Sequence, residues 1–218
     1  MSRIPRLLRV PIAVVGGWLA LFAVVNAVIL LAGVAARWSG KDPQLRSDKW
    51  PGITHLRLVD DKLLVGGQPS RSDYRELAEH GVTTVIDVRE GGGGRDDPEN
   101  LDSLGIEYVA LPLVDGQAPT PGRTRRFLEL VDEADGRVFA HCGGGVGRST
   151  SLAAVYEAAR GQDPSVLEQV AVGPPTIEQI WFVGTLSPGR PEHEVSPVIA
   201  TVSRVVDSPR TLYSFLTD

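Results

Sequence analysis

From Val10 to Ala36 the chain runs 27 residues, VPIAVVGGWLALFAVVNAVILLAGVAA, without a charge. Coiled as an α-helix at ~1.5 Å per residue, the run would reach roughly 40 Å, longer than the ~30 Å hydrocarbon layer of a bilayer. It therefore divides the chain. Any globular unit must come from the residues after it, and the run itself is expected to form one transmembrane helix over 10–36. A basic tail, 1–9, precedes it, and a charged linker, 37–53, rich in proline and glycine, follows. A signal peptide is the alternative, since Val34-Ala35-Ala36 offers small residues for cleavage, but the run exceeds the roughly 7–15 apolar residues of such peptides. Arg3, Arg6 and Arg9 with the terminal amine flank one side, and Arg37, Lys41, Arg46 and Lys49 the other. The two counts balance, so the positive-inside rule leaves the side of the membrane undetermined.

Of 22 basic residues, four arginines precede residue 41, leaving 18 against 27 acidic ones, a net charge of −9 for the remainder. That part lacks the basic footprint of a nucleic-acid binder. One cysteine, Cys142, excludes both an intramolecular disulfide and a cysteine-rich zinc site. His55, His80 and His193 show no metal-ligand spacing, so neither a metal nor another cofactor is expected. Nothing in the sequence sets an oligomeric state.

After the linker, apolar patterns alternate between the strand and helix periods. THLRLV and KLLVGG, split by Asp60-Asp61, read as two short strands around a turn. Residues 71–80 read as a helix with Ser70 or Ser72 as N-cap and Gly81 as stop. VTTVIDV at 82–88 reads as a buried strand, followed by a mobile glycine-rich loop at 91–98. A short helix near 98–104, the strand IEYVALP, a helix beginning near Pro121 and the strand RVFAH come next. A further helix spans 148–160, and 164–216 reads as mainly helical. Such alternation implies an α/β fold with a mostly parallel central sheet flanked by helices. The expected boundaries are 54–185 for this domain and 186–218 for a mainly helical C-terminal extension.

The stretch FAHCGGGVGRST, residues 139–150, joins a strand to a helix through glycines. Converging backbone N–H groups and a helix N-terminus make such a turn suited to phosphate. Cys142 stands at the strand end and Arg148 at the helix start. A thiol titrating near 8.5 is lowered by both neighbours, and a thiolate there can attack phosphorus in line. Arg148 can grip two phosphate oxygens with its planar fork, which lysine lacks. The ordinary alternative for Cys142 is a small buried residue without chemistry.

His141, Cys142, Gly145, Arg148 and Ser149 match H-C-x-x-G-x-x-R-[ST], and the chain resembles the cysteine-dependent tyrosine and dual-specificity phosphatases. GGQPS at 66–70 and GVTTVIDVRE at 81–90 resemble the compact dual-specificity type. The resemblance implies a dual-specificity phosphatase-like fold and a phosphate-binding loop of Gly143, Gly144, Gly145, Val146, Gly147 and Arg148. It further implies that Ser149 eases departure of the thiolate and that His141 orients the loop. Asp115, in LPLVDGQAPTP, is expected to serve as general acid and then as general base. Asp96, Asp97 and Asp102 are its rivals. TIEQIWF at 176–182 resembles part of the Q-T-x-x-Q-Y-x-F motif of the classical tyrosine phosphatases. Pro175 stands in place of the leading glutamine, leaving Gln179 as the only candidate to position water. The GGGVG interior also lacks the lysines of members acting on multiply phosphorylated inositols.

The expected activity is thus hydrolysis of phosphate monoesters, on a phosphorylated protein or on a small or lipid phosphate. A phosphoinositide, phospholipid or inositol-phosphate phosphatase and a non-catalytic phosphate-binding module are the alternatives. A Walker-type nucleotide loop would need glycine at 142 and lysine at 148. A rhodanese-like sulfur transferase usually has a different loop length.

Overall fold

The structure, a computed structural model, describes residues 6–44, 52–91 and 101–217. Most of the predicted glycine-rich loop, with Asp96 and Asp97, lies outside the described residues, as do linker residues 45–51. A five-stranded sheet carries the domain: β1 (Arg57–Leu58), β2 (Leu63–Gly66), β3 (Val82–Asp87), β4 (Glu107–Ala110) and β5 (Arg137–His141). Its order is β1-β2-β5-β3-β4, with β1 and β2 antiparallel and every other neighbour parallel. The sheet is therefore mixed, with the antiparallel pair at one edge.

Alternation along the strands sorts the core between the two faces. Val65, Ile86, Val138 and Ala140 join one cluster with Phe127, Leu152 and Phe182, while Leu64, Val85 and Phe139 join another with Tyr74, Leu77 and Ile106. Successive side chains of a strand point to opposite faces, so a strand buried on both sides reads as a continuous apolar run. The first cluster is covered by α3 (Pro121–Glu133), α4 (Arg148–Ala159) and α6 (Ile177–Thr185), and the second by α2 (Asp73–Glu79) and the 3-10 turn Leu101–Leu104. Arg57, on the edge strand, is paired with Glu157 of α4 and, at 2.9 Å, with Glu168 of α5 (Val166–Val172).

Ser72, one of the two serines expected there, stands at the N-cap of α2 but without the side-chain bond of a cap. Ser72 has helical dihedrals (φ −70, ψ −35) and makes no side-chain cap bond, because a capping hydroxyl needs an extended backbone. Asp73 instead accepts the Ser70 N–H at 2.7 Å. Elsewhere capping follows the sequence: Thr120 accepts from Arg123 N–H ahead of Pro121, and Thr176 and Gln179 form a reciprocal capping box on α6.

The apolar run forms α1 (Arg6–Trp38), extending beyond 10–36 at both ends and taking in the first two residues of the expected linker. Ala13–Trp38, whose most apolar 18-residue stretch has a mean hydropathy of 2.6, is long and apolar enough to cross a membrane. One side of it lies against the domain. Ile29 and Ala36 are buried with Val170 and Ala171 of α5, and Gly33 sits so close that a Cβ there would meet the Val170 carbonyl oxygen at 2.3 Å. Arg37 donates to the carbonyls of Ala171 and Val172. Nearer the other end, Trp18 Nε1 donates to the Val205 carbonyl of α7 (Pro197–Thr217) at 2.7 Å. Val14, Val15, Leu19, Leu21, Val24, Val28 and Leu31 face outward.

Candidate active site

β5 is the central strand, and the chain leaves its carboxyl end into the loop 142–147 before entering α4 at Arg148. Ligands of open parallel sheets collect at this edge. The loop is held from outside by its carbonyls. Gly143 O accepts from Gln68 N–H at 2.9 Å, Gly144 O lies 2.7 Å from His55 Nδ1, and Val146 O and Gly147 O accept from the Thr150 hydroxyl. Gly145 turns the loop at φ +73, and a Cβ there would stand 2.5 Å from Gly67 N, so two requirements select glycine.

Cys142 is buried, with 3% of its surface exposed. Gly145 N–H donates to its Sγ at 3.2 Å, and the Ser149 Oγ lies 3.5 Å away. Arg148 Nη2 stands 3.0 Å from Asp115 Oδ1, and its Nη1 donates to the Leu113 carbonyl at 3.3 Å. Asp115 is half exposed, and its backbone N–H donates to the Glu90 carboxylate at 3.1 Å. Cys142, Arg148 and Asp115 line one pocket of about 170 Å³ with Gly144, Val146, Gly147, Pro174, Pro175 and Thr176, and Ser149 stands behind the sulfur. The structure thus brings together Cys142, Arg148, Asp115 and Ser149. Asp102, the described rival acid, lies in the 3-10 turn on the other side of the sheet.

His141 is fully buried and stacks on Phe139 with ring centres 5.6 Å apart, and its Nδ1 lies 3.4 Å from the neighbouring Cys142 carbonyl. A histidine that sequence reasoning considered only as a metal ligand, His55, makes the shorter contact to the loop. It has φ +55, the only positive φ of a non-glycine among the described residues. A histidine 87 residues ahead of the cysteine carries no sequence signal for this.

Gln179 lines the pocket, but its amide is engaged at both ends: Oε1 accepts from Thr176 N–H at 3.1 Å and Nε2 donates to the Gln117 carbonyl at 3.3 Å. A Cβ on Gly147 would come within 2.5 Å of its Oε1. With Thr176 Oγ1 donating to Gly116 O at 2.6 Å, it fastens the Asp115 loop to α6.

Arg89 is committed to Asp87, through Nε at 3.0 Å and Nη2 at 2.6 Å. Burial pushes the Asp87 carboxyl upward, but hydrogen bonds from Arg89 and from Tyr108 at 2.6 Å outweigh it and leave its pKa below the usual value. The same pairing raises the Arg89 pKa against the opposing effect of burial.

A cysteine and arginine sharing one strand–loop–helix turn on a mixed α/β sheet define a cysteine-loop phosphatase scaffold. Residues 54–180 match the family described as "DSP-PTPase phosphatase fused to NAD+ Kinase". The chain belongs to this family, and so to the dual-specificity phosphatase superfamily. It is 32% identical over 110 residues to a β-lactamase hydrolase-like protein of Agrobacterium fabrum, covering 48% of this chain and 25% of that protein. It is 28% identical over 127 residues to dual specificity protein phosphatase 26 of Bos taurus, covering 55% of this chain and 54% of the relative. The chain thus spans between a quarter and about half of the length of these two relatives. Among solved structures, TpbA of P. aeruginosa in complex with pTyr aligns with a TM-score of 0.49 at 19% identity, covering 64% of this chain and 89% of that one.

Proposed function

We propose that the chain hydrolyses phosphate monoesters of the protein tyrosine or dual-specificity type through a phosphocysteine on Cys142. The observation that carries this reading is the Cys142 sulfur, held by Gly145 N–H at 3.2 Å in the pocket that also contains the Arg148–Asp115 pair. The phosphate, seated on the loop amides, takes the Arg148 guanidinium, and its arrival frees Asp115 from that arginine. The Cys142 thiolate forms the S–P bond while the P–O bond to the leaving group breaks. The electron pair goes to the leaving oxygen, which takes its proton from the Asp115 carboxyl. A water then gives its proton to the Asp115 carboxylate and forms a new P–O bond. The S–P bond breaks, and the returning thiolate is met by the Ser149 hydroxyl. Arg148 stabilises the charge on the equatorial oxygens in both steps. No cofactor enters this scheme, and α1 attaches the protein to a bilayer as a single-pass element.

Turnover of p-nitrophenyl phosphate in the presence of EDTA tests the scheme. Full activity of Cys142→Ser would sink it. Asp115→Asn should lower kcat by ~10²–10⁴ on phosphotyrosine peptide while phosphate still competes. Unchanged kcat would remove Asp115 as the acid, and phosphate binding by the wild-type protein without turnover of any ester would leave only a phosphate-binding module.

A phospholipid or inositol phosphate is the second reading, favoured by one observation: the apolar α1 lies against α5, whose end leads into the Pro174-Pro175 wall of the pocket. Release of phosphate from phosphatidic acid vesicles in preference to phosphopeptides would select it.

A further inference from the structure

His55 holds the one loop peptide whose opposite end touches the sulfur. Its Nδ1 lies 2.7 Å from Gly144 O, and the N–H of that same peptide, belonging to Gly145, donates to Cys142 Sγ at 3.2 Å. In a trans peptide the C=O and N–H point in opposite directions, so a donor pulling the oxygen outward aims the hydrogen inward. Facing a carbonyl oxygen, Nδ1 must carry the ring hydrogen. Hydrogen bonds in series polarise one another, so the imidazole also strengthens the amide as a donor to the sulfur. The backbone at His55 is held at φ +55, a conformation uncommon for a residue with a Cβ and retained where the surroundings impose it. Adjacent backbone fixes the same spot: Thr54 O accepts from Gly67 N–H at 2.8 Å, and Gly67 and Gly144 form an isolated bridge.

We propose that His55 is a positioning residue for the Cys142 thiolate, acting through the Gly144–Gly145 peptide as a relay. The proposal deepens the reading of Cys142 as nucleophile and rests on it. It places a device for stabilising the thiolate outside the loop itself, on the segment before β1. The other groups around the sulfur are Arg148 and Ser149 at the start of α4, Asp115 on the loop before α3, and His141 on β5 with Asp87 of β3 behind it. None of these is altered by a change at residue 55, so a shift in the sulfur's titration on that change reports the relay.

The chain's single cysteine makes the measurement direct: the pH dependence of Cys142 alkylation by iodoacetamide, followed by mass spectrometry on the full chain in detergent. His55→Gly removes the ring and relieves the backbone. Its alkylation midpoint should rise by roughly half to one pH unit, and kcat/KM below that midpoint should fall about 3–10-fold. His55→Asn tolerates the left-handed backbone and keeps a donor, and should recover part of both. An unchanged midpoint in a folded His55→Gly protein overturns the proposal. Should His55→Gly not fold, the ring tautomer of the wild-type protein decides, read by 15N shifts of labelled histidine. A neutral His55 protonated on Nε2 overturns the relay, and one protonated on Nδ1 sustains it. Activity surviving in Cys142→Ser would instead refute the nucleophile while leaving the alkylation shift measurable, so the two failures are distinguishable.

Discussion

Replacing Gln179 by alanine separates two roles for this residue that the sequence leaves open. As a positioner of water, the amide would have a free end in the pocket and would contribute little to stability. In the structure both ends are bonded, to Thr176 N–H at 3.1 Å and to Gln117 O at 3.3 Å, and the residue is 2% exposed. Alanine removes half of the capping box and leaves one N–H and one carbonyl to find new partners. A cap bond is worth about 1 kcal/mol and a buried amide bond about 1 kcal/mol more. Water entering from the pocket offsets part of the cost, so Gln179→Ala should lose about 1–2 kcal/mol in urea unfolding with an unchanged m value. The Asp115 loop loses one of its fastenings to α6, so kcat on phosphotyrosine peptide should fall about tenfold in single-turnover phosphorylation of Cys142, the step that needs the acid. Gln179→Glu should lose the Gln117 bond while keeping the cap acceptor, and so fall between the two. A Gln179→Ala protein with unfolding free energy within about 0.5 kcal/mol of wild type, and with only dephosphorylation slowed, would refute the clamp and restore the water-positioning role.

Asp87 gives a pH signature of the fold. Its folded pKa lies below the unfolded value of about 3.9, so its pairing with Arg89 and Tyr108 stabilises the protein fully above that value. The contribution is lost as pH falls through the lowered folded pKa, and Asp87→Asn should flatten the acid limb of a melting-temperature profile below about pH 4. A variant whose acid limb matches wild type would show that Asp87 is not the group responsible. Gly33→Leu tests the seating of α1, since a Cβ at 2.3 Å from the Val170 carbonyl must push the helix off α5. Leu31→Ala, on the outward face, serves as control. Gly33→Leu should lower the melting temperature by several degrees or expose the 172–175 segment to proteolysis, and equal behaviour of the two variants would refute the docking.

Periodicity exposed the alternating elements because strands buried on both faces must be continuously apolar. That is why VTTVID and RVFAH were readable as β3 and β5. Nothing local tells whether a serine at an N-cap will make the side-chain bond, and Ser72 does not, whereas Thr176, read from the sequence only as part of the TIEQIWF resemblance, makes it with Gln179 three residues on. The cysteine loop was legible for a further reason: its chemistry requires cysteine, glycine and arginine within seven consecutive positions. Asp115 was reachable by counting back to the preceding strand end, and it does stand 3.0 Å from Arg148. Contacts made across the sheet edge leave no such spacing. His55 reaches the cysteine loop from a turn before β1, and Gln179 reaches the Asp115 loop from α6, each by a single side chain. In the sequence His55 carries only its identity, and Gln179 only its place in TIEQIWF. Their roles arise from β2 and β5 lying side by side, which brings Gly67 against Gly144, and from the Thr176 cap turning α6 toward Gly147. The cysteine loop is thus written locally, while the side chains that contact it from outside are supplied by the topology.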